Sequence, residues 1–376
     1  MMFKEKYEVT ILCIVSLIAS IGVFVRQVPF GYDSYAFFSY LSGFTPAFGG
    51  HDLFFTIIHF FPNSFLFFAV ISWLCLLVAV LGLYFGLKQV FSFQTAFLAT
   101  LICLAAAPIL IFDFAQFQNE LFAYPFIFWS FYCLMKKEKN YSWFALAFAL
   151  MGCFFWLGSL LWIGIVACGL ITSFLVVLLL SFPFWYDKFS WAFGSIQGVA
   201  FNTYFWGLID YFLLFPFIFA VFVTDEKRWW IWMGVSLVCA MFSARFVILS
   251  IPFIALGVGY ACDKWLSRYA SAKNIVLCTI LLIICWQIAL FMQHPSDSEM
   301  AISKQFVEDC KISQNCVNDW SVGWWVTSVS GATPYKSGPP DPDYNHLTRP
   351  FAALTVNTLD CNLVEHQGFL NYYRCV

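Results

Sequence analysis

The chain alternates apolar runs long enough to cross a bilayer with short charged breaks, and that alternation restricts it to a polytopic membrane fold. Candidate spans are residues 9–25, 64–87, 92–112, 119–135, 141–158, 160–182, 203–224, 229–245, 246–262 and 274–293. Composition agrees: 62% of the residues are hydrophobic and 11% are charged, more apolar surface than a soluble domain of this size buries. Mean hydropathy is +0.80. No basic face is present, which argues against nucleic-acid binding.

The positive charges fall between the spans in five clusters: Lys4/Lys6, Lys88, Lys136/Lys137/Lys139, Lys227/Arg228 and Lys264/Arg268/Lys273. The positive-inside rule makes all five cytoplasmic. Residues 26–63, 112–118 and everything after His294 then lie outside. The first run leads into Arg26 and Gln27 with no small-residue cleavage pattern, so it reads as a span and not as a removed signal peptide. Between the clusters at 136–139 and 227–228 the parity requires a further short crossing, near 183–200, or else 141–182 does not cross twice.

The tail from 294 to 376 is a different polymer. It carries nine acidic and five basic residues and the Pro/Gly-rich stretch SGPPDPDY, enough for one small domain of mixed structure. The expected division is therefore a membrane domain, 1–293, and an extracytoplasmic domain, 294–376. Ten of the 14 cysteines lie in the hydrophobic part, where they read as small packing residues. The other four, Cys310, Cys316, Cys361 and Cys375, suggest two disulfides in any of three pairings. Zinc is the rival reading, weakened by the lack of any Cys-x-x-Cys.

Candidate chemistry gathers on the outer side. Asp33, in VPFGYDSYAFFSYLSG, sits at the rim of the bilayer among Tyr32, Tyr35, Phe37 and Phe38, and ionisable groups in such positions are functional candidates. A carboxylate half-buried among aromatics makes a good proton acceptor near neutral pH. The competing reading is a cap for a rim helix or a partner for Arg26. Arg245 lies near the outer turn of a helical hairpin bracketed by Arg228 and Lys264. A guanidinium there could grip phosphate oxygens bidentately or snorkel to headgroups. Glu120 follows Gln118 and Asn119 at the start of a span, where a helix N-terminus favours a carboxylate. Asp113 has similar standing, and Asp210 either lines a cavity or packs in its protonated form. His51, Asp52 and His59 read as solvated loop residues. Trp320, Trp324 and Trp325 form either an acceptor platform or a plug onto the membrane domain.

These residues fall in motifs that resemble a family. GYDSYAFFSYL looks like the first external loop of GT-C class membrane glycosyltransferases, in particular oligosaccharyltransferase catalytic subunits. FQNELFAYPFIFWSFY (117–132) resembles the second external loop with its acidic pair. SIQGVAFNTYFWGLIDYFLLFPF (195–217) resembles the Ser-x-x-Glu loop and the span after it. FSARFVILSIP (242–252) resembles the span whose arginine holds the donor phosphate, and NDWSVGWWVTSVSG (318–331) the tryptophan-rich acceptor motif. The resemblance implies an all-α GT-C-like membrane domain of about 9–11 helices. It also implies sugar or oligosaccharide transfer from a polyprenyl-(pyro)phosphate to a protein or glycan on the outer face, with inversion. Asp33, Glu120 and Asp113 would be catalytic, and Arg245, Asn119, Gln118, Trp320, Trp324 and Trp325 would bind substrates.

The departures bear on the metal. One carboxylate of the second-loop pair is an amide here, the Ser-x-x-Glu glutamate is Gly198, and Asp319 precedes Trp320 where the family has it after a tryptophan pair. A divalent cation such as Mg or Mn wants several oxygen ligands, and Asp33 with Glu120 supply few. The alternatives from other classes are a transporter, which predicts internal repeats and broken helices near the midplane, and a non-catalytic assembly factor, in which Asp33 would tolerate Asn. No repeat is present. The absence of an endoplasmic-reticulum retention signal leads to the expectation of a prokaryotic plasma membrane. If the transferase reading holds, Asp33 and Arg245 face one cavity roughly 6–14 Å apart, room for a sugar phosphate between base and clamp.

Overall fold

The computed structural model describes residues 5–26, 57, 60–62, 64–106, 119–136, 138–156, 159–168, 248–265, 304–306, 308–310, 316–319, 343–344, 347, 349–355, 357–367 and 370–376. Within them run seven helices and a sheet: α1 (Glu5–Arg26), α2 (Phe65–Lys88), α3 (Phe93–Ala106), α4 (Asn119–Met135), α5 (Lys139–Phe155), α6 (Ser159–Cys168), α7 (Ile251–Trp265), β1 (Cys316–Asn318), β2 (Phe351–Thr355), β3 (Asn362–Gln367) and β4 (Leu370–Cys375).

The helices follow the apolar runs closely. The run 119–135 coincides with α4, and 64–87 with α2 to within a residue. Over Leu66–Lys88, α2 has a mean hydropathy of 2.8 and is the one helix among the described residues both long and apolar enough to cross a membrane. Tyr7–Ile21, Phe93–Leu104, Glu120–Met135 and Asn140–Phe155 are shorter apolar helices. Helix α1 begins at Glu5, ahead of its expected span 9–25, and two further boundaries differ for local reasons. The run 141–158 becomes a helix ending at Phe155, because Trp156 turns extended (φ −144°, ψ 121°). The run 246–262 starts its α-helix at Ile251, which puts Pro252 in the first turn, where its missing N–H leaves no bond unmade. The runs 203–224, 229–245 and 274–293, and the extra crossing near 183–200, lie outside the described residues.

Helix α2 is the hub, packed against α1, α3, α4 and α7. Its approach to α4 is set by two glycines one turn apart, Gly82 and Gly86. A Cβ on Gly82 would lie 3.0 Å from the carbonyl carbon of Phe128, and one on Gly86 would lie 2.6 Å from the Phe131 ring and 3.3 Å from Tyr132 Cα. The Gly-x-x-x-Gly spacing lets two helices close to backbone contact, the main packing device where lipid removes the hydrophobic drive between helices. The Trp129 indole seals the seam by donating to the Val78 carbonyl at 3.0 Å. A second contact of this kind joins α7 to the loop after α2, where Gly259 receives Phe91 and the Phe91 ring meets Tyr260 edge-on at 4.9 Å. Thr95 of α3 reaches Asp263 of α7 nearby. These contacts gather Lys88, Lys136 and Lys264 at one end of the bundle.

Among the described residues six cysteines are free, and four of them, Cys103, Cys133, Cys153 and Cys262, are buried as packing residues. In the tail the pairing is Cys310–Cys316 and Cys361–Cys375, which selects one of the three open connectivities. The sheet order is β1-β2-β4-β3, with β1 parallel to β2 and the other pairs antiparallel. Every residue of the central strand β2 is buried. Beside the first disulfide, Arg374 of β4 bridges Asp309 at 2.7 Å and the Tyr372 hydroxyl donates to the same carboxylate.

Two outcomes follow from this packing. Gly86→Leu must push α2 and α4 apart, so thermal unfolding in detergent should show a loss of about 1–3 kcal/mol, whereas the same change at Gly164, which has open space around it, should be near neutral. The hydrogen bond from Tyr372, then that from Arg374, hold the Asp309 carboxyl below the usual carboxylate range. A depressed folded pKa contributes stability that is complete above the unfolded value, near 3.9, and fades as pH falls through the folded one. Asp309→Asn should therefore remove part of the tail's acid sensitivity below about pH 4, seen as a flatter melting temperature against pH.

Candidate functional site

Glu120 is the one sequence-predicted catalytic residue among those described. It occupies the first turn of α4, where the unpaired backbone N–H groups favour an anion, and it is only 5% exposed. Aromatic rings wall this end of α4. Phe155 stacks on both Phe122 and Phe126 at 5.7 Å, Trp156 meets Tyr124 edge-on at 5.7 Å, and Phe61 lies 6.5 Å from Phe122. A carboxylate in such surroundings keeps its charge only beside donors or a cation.

One turn further along α4 the helices close again. Gly152 of α5 leaves room for Ser159, whose hydroxyl would be 3.0 Å from a Cβ at that position, and the Ala123 carbonyl would be 3.6 Å from it. Ser159 opens α6, is fully buried, and its hydroxyl has no hydrogen-bond partner. Deeper in the bundle Ser130 donates to the Ala145 carbonyl at 2.7 Å and accepts from the Trp162 indole at 2.9 Å. Phe253 of α7 stacks on Trp162 at 5.4 Å and so ties α7 to the α4–α6 layer.

Asp33, Asp113, Gln118, Arg245, Trp320, Trp324 and Trp325 lie outside the described residues, as do Asp52, His51, His59 and Asp210. Asn119 enters as the first backbone position of α4. The four tail cysteines form the two bridges given above. Among the described residues no group of three or more His, Cys, Asp or Glu side chains could hold a metal ion.

Two buried acids escape a reading by hydropathy. Glu8 of α1 is 2% exposed and accepts from the Tyr84 hydroxyl at 2.9 Å. It adjoins Lys4 and Lys6 and so reads as a flanking charge. The signal was in helical spacing: Glu8, Leu12, Val15, Ser16, Ala19 and Ser20 share one face, and all are buried. The second is Asp319, fully buried, whose partners Tyr344 and Thr355 are remote in sequence.

No protein-family model and no curated protein sequence matches the chain. Solved structures do. ArnT from Cupriavidus metallidurans, in its apo state, aligns at TM-score 0.60 and 12% identity over 98% of this chain and 98% of its own. An oligosaccharyltransferase from Archaeoglobus fulgidus, solved as a complex with Zn and sulfate, aligns at TM-score 0.53 and 11% identity over 88% of this chain. This chain spans 62% of that oligosaccharyltransferase. At such identities the likeness speaks for architecture alone. The chain has a GT-C-like, oligosaccharyltransferase-like membrane fold.

Proposed function

We propose that the protein is a membrane glycosyltransferase that moves a sugar or oligosaccharide from a polyprenyl-(pyro)phosphate donor to a protein or glycan acceptor on the outer side of the membrane. The observation that carries this reading is the ArnT-like fold over 98% of the chain, joined to motifs in the order that fold expects. Residues 1–293 form the membrane domain and 294–376 the extracytoplasmic one. The two disulfides of the tail suit an oxidising compartment.

The division of labour follows from what the reaction demands. Asp33 takes the proton of, or orients, the attacking acceptor atom. The acceptor attacks the anomeric carbon from the face opposite the phosphate, the glycosidic oxygen leaves with the phosphate, and Arg245 steadies the charge that develops there. Glu120, with Gln118, Asn119 and Asp113, shapes the polar end of the pocket. Trp320, Trp324 and Trp325 offer aromatic faces to the acceptor. A divalent metal, where bound, would be held by Asp33 and Glu120 and would offset charge on the donor phosphate. Of that pair the described residues place Glu120, a single carboxylate, where such an ion wants several oxygens, so no step here is routed through a metal.

The test is turnover in nanodiscs with a polyprenyl-phosphate sugar and labelled peptide or glycan acceptors. Asp33→Asn should lose about 10²–10⁴-fold in kcat, the usual worth of a positioned base, with its melting temperature unchanged. Arg245→Ala should weaken donor binding. An Asp33→Asn protein that folds and turns over normally would sink the assignment and favour an assembly factor.

A further inference from the structure

The turn between α4 and α5 sets a fixed cation beside exposed apolar surface. Lys136 Nζ donates to the Tyr141 hydroxyl at 3.2 Å and lies over the Tyr141 ring at 4.3 Å and the Tyr132 ring at 5.8 Å. The two rings meet edge-on at 6.4 Å, and Tyr132 meets Trp129 at 5.3 Å. A side chain with many rotamers is thus held at one place. The Tyr141 hydroxyl takes one of the three ammonium donors. Glu138 is the one acid in the turn Lys136, Lys137, Glu138, Lys139. It stands 3.9 Å from Lys136 with its own side chain 70% exposed, a pairing worth little in water. Three lysines against one glutamate leave the turn positive.

Beside that cation the surface becomes apolar at once. Phe144 lies 5.9 Å from Tyr141, and Trp143 and Phe144 are 58% and 55% exposed. Along α5, Phe144, Ala147, Met151 and Phe154 are all exposed, at the spacing that puts them in one stripe. Ten residues of helix rise about 15 Å, the depth of one leaflet of the hydrocarbon core. Trp143 sits at the charged end of the stripe, as interfacial indoles do. A soluble phosphate would use the cation and leave the stripe bare. An acidic protein would have to enter the acyl region to cover it. A cation followed by an apolar stripe one leaflet long matches a single molecule with an anionic head and an acyl tail. We propose that the α4–α5 hairpin binds an anionic phospholipid, its phosphate on Lys136 and an acyl chain along Phe144 to Phe154. The positive-inside rule puts this lipid in the inner leaflet, at the end of α4 away from Glu120. The site is independent of the transferase reading.

The test titrates the full chain in mild detergent with phosphatidylglycerol or phosphatidylcholine and counts bound lipid by native mass spectrometry. Phosphatidylglycerol should bind about tenfold or more tightly than phosphatidylcholine. Lys136→Gln should cut that preference about fivefold, and Lys136→Arg should keep it. Phe144→Ala should weaken both lipids alike. Lys264→Gln removes an exposed cation at the end of α7 and should leave the preference as in the wild type. Glu138→Gln, an exposed change that spares Lys136, should raise it. Equal binding of the two lipids overturns the proposal, and so does a preference unmoved or lowered by Glu138→Gln, even where Lys136→Gln fails to fold. An equal loss from Lys264→Gln reduces the site to diffuse surface charge, and displacement of the lipid by glycerol 3-phosphate makes it a free-phosphate site. Either result overturns the assignment.

Discussion

The close approach of α2 to α4 governs the helical part of this protein. Between helices surrounded by lipid, burying apolar side chains gains little, because acyl chains are as apolar as leucine. Stability must come from dense contact and from polar groups that meet each other. Gly82 and Gly86 remove the side chains that would keep two backbones apart, and α2 packs against α1, α3 and α7 as well. Tyr84 sits between the two glycines in sequence and turns its hydroxyl to Glu8 on α1, so one short stretch of α2 fastens a helix on each side.

The bundle is polarised as a result. The lysine end holds Lys88, Lys136 and Lys264, with Lys136 lying over the Tyr141 ring at 4.3 Å. The opposite end of α4 holds Glu120 behind stacked phenylalanines. The tail answers a different problem. Among its described residues, two disulfides, the Asp309–Arg374 bridge and the Asp319 hydrogen bonds tie together segments distant in sequence.

Much of this was legible along the chain. The position of α4 and the extent of α2 follow from hydropathy, because the cost of exposing backbone and polar groups to lipid is paid residue by residue and leaves a local record. The location of Glu120 in a first helical turn follows in the same way from the apolar run that begins beside it. The presence of disulfides in the tail follows from cysteine content against composition. The motif order pointed to the GT-C class, and the fold agrees.

What local patterns could not carry is which distant groups meet. The choice among three disulfide pairings, the burial of Glu8 against Tyr84, and the meeting of Asp319 with side chains 25 and 36 positions away are decided by the path of the chain in space. Hydropathy scores a residue by what it is, whereas an acid becomes a buried anchor only through partners that folding brings to it. The sequence by itself determined where the described apolar helices lie and that the tail holds disulfides. Only the tertiary structure decided which charges are flanking and which are structural, because that distinction rests on contacts between segments and not on any property of one segment.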